Sequence, residues 1–164
     1  WELHRLVIPE KIHSAKLVIG HTGIHGSTAK QVEMVRNEIQ QNPSLIQVMD
    51  AIGQITKRGI DALLSADLVT LGQSMNENHY LLQGLNVSCP ELDALVEAAQ
   101  LTSFGAKLTG AGGGGCMIAL TSKPVETSRA IELAGGRAFI SSLGGYGLRC
   151  EDEVGSPSWD PHDI

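Results

Sequence analysis

Lys107-Leu108-Thr109-Gly110-Ala111-Gly112-Gly113-Gly114-Gly115-Cys116 holds five glycines in ten residues. Cys116-Met117-Ile118-Ala119-Leu120 follows at once, apolar throughout, and Thr121 closes it. A run that short, without polar alternation, predicts a buried strand rather than a helix. A loop poor in Cβ atoms lets another group approach the main chain, and positive φ costs it little. Successive N–H groups in such a turn can form an anion-binding concavity. Lys107 adds positive charge at the entrance. A tight connection with no ligand stays open as the plainer reading of the glycines alone. The run lacks the Gly-Lys-Ser/Thr ending of a Walker A loop. A strand follows it where the dinucleotide fingerprint requires a helix.

The surrounding chain of 164 residues is long enough for one domain with a real core. A net charge of −6 argues against a nucleic-acid backbone as partner, and the sparse aromatics leave little for base stacking. No apolar run approaches membrane-spanning length, and no signal peptide is visible. Cys89, Cys116 and Cys150 are widely spaced, which fits small thiols in a reducing cytoplasm better than a zinc site. His21 and His25 sit among Gly23 and Gly26, so that segment reads as a turn. The chain opens at Trp1 in strand-like sequence, and a piece of a longer protein is expected.

Upstream of the glycine loop, residues 2–8 predict a strand closed by Pro9, and residues 17–19 a second strand pairing with it. Gly20 to Thr28 then clusters glycines with the hydroxyls of Thr22, Ser27 and Thr28 ahead of a helix to Gln41. Val32, Val35 and Ile39 mark its apolar stripe, and Ser27 or Thr28 its N-cap. The exposed N–H groups at such a helix start can face an anion; capping alone accounts for the hydroxyls equally well. Asn42-Pro43 restarts a helix that runs to about Leu64. Residues 65–67 break it, and a third helix carries Leu68, Leu71, Met75, His79 and Leu82. His79 reads as a core or boundary histidine. Ser88-x-x-Glu91 predicts a capping box for a fourth helix. Asp50, Asp61, Asp67 and Asp93 read as solvated helix faces.

Downstream of the buried strand, Pro124 opens a short helix that stops at Gly135-Gly136. Residues 137–142 predict a strand, Gly144-Gly145 a hairpin, residues 146–150 the return strand, and residues 151–164 a mobile tail. The order of strands and helices predicts an α+β domain, an antiparallel sheet covered by helices.

Two glycine- and hydroxyl-bearing loops thus flank a helical segment. Lys107-x-x-Gly110-Ala111-Gly112-x-Gly114-Gly115 resembles the third motif of the GHMP kinases. Residues 17–19, followed by Gly20-x-Thr22-Gly23 and Ser27-Thr28, resemble the mevalonate kinases within that superfamily. The likeness spans residues 2–150. It implies a ferredoxin-like GHMP kinase C-terminal domain over residues 21–150, with residues 1–20 as terminal strands completing an N-terminal domain. It also implies ATP- and Mg2+-dependent phosphoryl transfer to the 5-hydroxyl of mevalonate or a related small alcohol, for isoprenoid precursor synthesis in the cytoplasm. Such transfer is largely positioning and neutralisation of spread-out negative charge. Carried over by position, Lys107, Gly110, Ala111, Gly112 and Gly113 are the nucleotide-binding candidates. Thr28, with Ser27 beside it, is the substrate candidate.

The resemblance assigns no catalytic residue and no metal ligand to this segment. The ATP loop with paired serines, and the aspartate and lysine that act on the hydroxyl, belong to an N-terminal half outside it, so the segment alone is expected to be inactive. His21 and Gly26 depart from the family pattern, which leaves the role of His21 open. Another GHMP kinase such as phosphomevalonate kinase, a non-catalytic α+β ligand-binding module, and a homodimer through the long helices also stay open.

Overall fold

The computed structural model describes residues 7–143. A 3-10 turn, Glu10–Ser14, leads into β1 (Lys16–His21) and α1 (Thr28–Gln41). A second 3-10 turn, Pro43–Leu45, precedes α2 (Ile46–Leu64), α3 (Leu68–Gly84) and α4 (Pro90–Gln100). Then come β2 (Gly105–Thr109), β3 (Cys116–Thr121), α5 (Pro124–Leu133) and β4 (Arg137–Ser142). The expected hairpin at Gly144-Gly145, the strand 146–150 with Cys150, and the tail 151–164 lie outside the described residues, as does most of the strand expected at 2–8. Val7 and Ile8 are described and are not in a strand.

The four strands form one antiparallel sheet in the order β2-β3-β1-β4. Strand alternation sends Val18, Ala106, Leu108, Met117 and Ala119 to one face. There they form one core with Leu92, Leu95 and Val96 of α4 and Ile131 of α5. This is the expected α+β architecture, with helices over an antiparallel sheet.

The strands differ from the sequence reading in two places. Residues 1–20 were assigned to a neighbouring domain, yet β1 is an inner strand here, hydrogen-bonded to β3 on one side and β4 on the other. Its Val18 is fully buried in the common core, which ties it to this sheet. The stem before the glycine loop, to which no element was assigned, is the edge strand β2.

Helix ends follow local chemistry closely. The side chain of Ser27 accepts the Lys30 N–H and caps α1. Asp67 is exposed, as expected, and it caps α3: its carboxylate accepts the Thr70 N–H at 3.0 Å and the Thr70 hydroxyl at 2.7 Å. Those bonds, the backbone one first, hold its carboxyl below the usual value. Three helices close with one pattern, in which the N–H two residues past the C-cap returns to a carbonyl in the last turn. Asp67 bonds Ala62, Val87 bonds Leu82, and Gly136 bonds Ile131. The left-handed residue in each is Ala66 (φ 56°), Asn86 (φ 56°) or Gly135 (φ 94°).

The capping box at Ser88 does not form. Pro90 occupies the first helical turn, so Cys89 is the N-cap and accepts no side-chain bond. The Ser88 hydroxyl instead donates to Asp93. Asp93 is correspondingly half-buried, not solvated, with its side chain 29% exposed.

Helix α3 lies along β2 at backbone contact. A Cβ at Gly72 would lie 2.2 Å from the Phe104 carbonyl oxygen, and one at Gly105 would lie 1.9 Å from the Gly72 oxygen. Neither position has room for a side chain.

Candidate functional site

Thr109 pairs with Cys116 at the end of the β2–β3 ladder, so residues 110–115 form the connection between the two strands. Gly110, Gly112, Gly113, Gly114 and Gly115 all have positive φ, from 66° to 127°. The backbone therefore curls in a way that side-chain-bearing residues rarely adopt.

Part of the loop is stitched to the segment between β1 and α1. Gly115 N–H donates to the Ile24 carbonyl at 2.8 Å, and Thr22 N–H donates to the Gly115 carbonyl at 2.9 Å. The Thr22 hydroxyl reaches the same Gly115 oxygen at 3.1 Å. Gly113 N–H donates to the Val87 carbonyl at 2.9 Å, at the end of α3. Close approach is required here as well: a Cβ at Gly26 would lie 2.2 Å from the Gly112 oxygen, and one at Gly112 would lie 1.8 Å from the Val87 oxygen.

This brings the two sequence-predicted loops together. Gly26 touches Gly112 and immediately precedes Ser27 and Thr28 at the start of α1, both exposed. Among the described residues, no hydrogen bond takes the N–H of Gly110, Ala111, Gly112 or Gly114. Gly110 is exposed and Ala111 half-buried, whereas Gly112 and Gly114 are buried. The N–H of Gly113 is already committed to Val87, so Gly113 can serve an anion by shape and not by donation. Free amides and a helix N-terminus side by side suit negatively charged oxygen.

Lys107 lies inside β2 and not at the loop itself. It alternates with the buried Ala106 and Leu108 and pairs in register with Ile118. Burial pushes its ammonium below the ordinary value. His21 holds the turn after β1, its Nδ1 accepting the Gly23 N–H at 2.8 Å. Its ring centroid lies 6.3 Å from that of His25.

His79 is the core histidine that the sequence reading expected, but its polar contacts were not foreseen. His79 is 4% exposed, and its Nδ1 accepts the Leu108 N–H at 3.3 Å. Its Nε2 lies 3.3 Å from Asp93 Oδ1, outside hydrogen-bond geometry. The spacing of His79 and Asp93 in the chain carries no signal for this contact; only the packing of α3 on α4 and β2 creates it. Between α2 and α3 there is also a groove of about 780 Å³ bordered by Arg58, Glu77 and Tyr80. Arg58 and Glu77 form an ion pair at 2.5 Å in its lining.

Residues 60–134 match the family model described as GHMP kinases C terminal. The chain is 43% identical over 144 residues to the mevalonate kinase of Thermococcus onnurineus, covering 83% of this chain and 43% of that protein. It superposes on the crystal structure of L. major mevalonate kinase in complex with R-mevalonate with a TM-score of 0.67 and 38% identity, over 73% of this chain and 37% of that one. The Methanococcus jannaschii mevalonate kinase gives a TM-score of 0.67 at 30% identity, over 86% of this chain and 44% of that one. The chain thus spans less than half the length of the curated relatives it matches.

Proposed function

From a chain that carries a GHMP kinase C-terminal domain and has mevalonate kinases as relatives, we propose the C-terminal segment of a mevalonate kinase. The reaction is ATP-dependent transfer of the γ-phosphoryl group to the 5-hydroxyl of mevalonate, in isoprenoid precursor synthesis in the cytoplasm. The observation that carries the reading is the glycine loop, with uncommitted amides at Gly110 and Ala111, packed through Gly112 and Gly26 against the start of α1.

In this reading the amides of Gly110 and Ala111 face phosphate oxygens, where fixed donors stabilise charge that develops in transfer. Gly112 and Gly113 keep the loop's curl by packing on Val87. Thr28 and Ser27, at the start of α1, meet the alcohol substrate or the transferring phosphate. Lys107 contributes long-range positive charge from β2. Among the described residues no group of three or more His, Cys, Asp or Glu side chains could hold a metal ion. Mg2+ would enter with the nucleotide phosphates, as such ions commonly do. The groups that act directly on the hydroxyl come from an N-terminal half, and this segment alone does not turn over.

The test is a coupled kinase assay on the 164-residue chain, alone and complemented with the N-terminal half of a relative. The reading expects no turnover alone and mevalonate-dependent ADP release on complementation. Turnover by the isolated chain would overturn the split of labour. A complemented enzyme that phosphorylates phosphomevalonate and not mevalonate would overturn the acceptor.

A further inference from the structure

β2 has one sheet neighbour, β3, so its outer edge would leave main-chain N–H groups bare. Helix α3 covers that edge with two side chains three residues apart. Asn76 Oδ1 accepts the Ala106 N–H at 2.8 Å, and His79 Nδ1 accepts the Leu108 N–H at 3.3 Å. Since Nδ1 accepts, the ring proton sits on Nε2, facing Asp93 Oδ1. Asp93 also receives the Ser88 hydroxyl. Ser88 follows Val87, whose carbonyl takes the Gly113 N–H. One linked set therefore grips the glycine loop twice, at its stem through Leu108 and at its bend through Gly113.

We propose that His79 is a positioning residue for the glycine loop, and that the loop keeps its anion-receiving shape only while the His79 ring is neutral. The part of this that concerns anions rests on the function proposed above; the grip itself does not. Protonation would put a hydrogen on Nδ1, opposite the Leu108 N–H, and leave two donors facing each other. The groups around the ring pull in both directions. Asp93 and Glu97 of α4 favour the charged form, while Lys107 of β2 opposes it. Burial opposes it most strongly, and the ring titrates below its ordinary 6.5. The sign follows: the unfolded chain binds the proton first, so the folded state loses stability as pH falls below about 6.5, down to the lowered folded value.

The experiment is amide hydrogen exchange, corrected for intrinsic rates, on the 164-residue chain from pH 8 to pH 5. Wild type is compared with His79→Asn, which retains an oxygen acceptor near Nδ1 and cannot ionise, and with His79→Leu, which has no acceptor. In wild type, protection at Leu108 and Gly113 should drop roughly tenfold or more below pH 6.5, beyond any change in β1 or β4. His79→Asn should hold Leu108 protection flat across that range, and His79→Leu should lose it throughout. Equal pH dependence in wild type and His79→Asn, or a loss spread evenly over all strands, overturns the proposal. Should His79→Leu fail to fold, the wild-type and Asn pair still decides.

A second arm measures the ATP KM of the complemented enzyme. His79→Asn should remove the acid-side rise in KM expected of wild type. If that enzyme binds no MgATP while the exchange result holds, the phosphate reading fails and the grip stands. If it binds MgATP and the exchange result fails, the reverse holds.

Discussion

The two helical flanks of this domain use glycine in opposite ways. Along α3, β2 and the loop, glycines sit where two backbones touch: Gly72 against Phe104, Gly112 against Val87, Gly26 against Gly112. On α1 and the first half of α2 the packing is looser. α1 has no fully buried residue, Val32 is 52% exposed, and nothing lies within 4 Å of a Cβ built at Gly53. The same residue type is a steric necessity on one flank and a propensity cost on the other. The tight flank supplies the glycine loop of the candidate anion site, consistent with donors that must be held in advance, and the start of α1 meets it through Gly26.

Substitutions at these glycines can break the contrast or sharpen it. Gly72→Ala should have the largest effect, a loss of about 3 kcal/mol or more, because backbone on both sides must move. Urea unfolding measures it, and a change near zero would mean that α3 and β2 are not in contact. At the loop, Gly112→Ala forces a side chain onto the Val87 carbonyl at φ 86°. It should weaken MgATP affinity of the complemented enzyme by about 100-fold, as read by titration calorimetry.

The remaining two changes should stabilise. Ala66→Gly relieves a left-handed alanine between α2 and α3 and should add about 1 kcal/mol to unfolding stability. Gly53→Ala, on the loose flank, should add about 0.5–1 kcal/mol, the ordinary helix-interior gain. A destabilised Gly53→Ala would show that α2 is covered in solution by something that approaches its backbone.

What could be read from sequence follows the same division. β1, β3, β4 and all five α-helices carry local signals: an apolar run, a proline at a helix start, a glycine past a helix end. The curl of residues 110–115 was legible from its glycine density, whereas its closeness to α1 rests on the Gly26–Gly112 approach between separate elements. β2 was not legible as a strand, because Gly105 and Lys107 break its apolar pattern and its edge is satisfied by Asn76 and His79 from a distant helix. Asp93 read as solvated because helical spacing says nothing about a histidine on α3. Ser88 read as a cap because the motif matched, while Pro90 one turn position on moved the boundary to Cys89. Contacts that span elements were missed, and those contacts shape the loop.

The most direct measurement is the amide spectrum of the 15N-labelled chain, complemented with a relative's N-terminal half and titrated with MgATP. The account predicts that Gly110 and Ala111 shift first and furthest, with Thr28 following, while Gly113 and Gly115 stay near their starting positions because their N–H groups are already taken. Shifts centred on Arg58 and Tyr80 in the α2–α3 groove, with residues 110–115 unmoved, would contradict it.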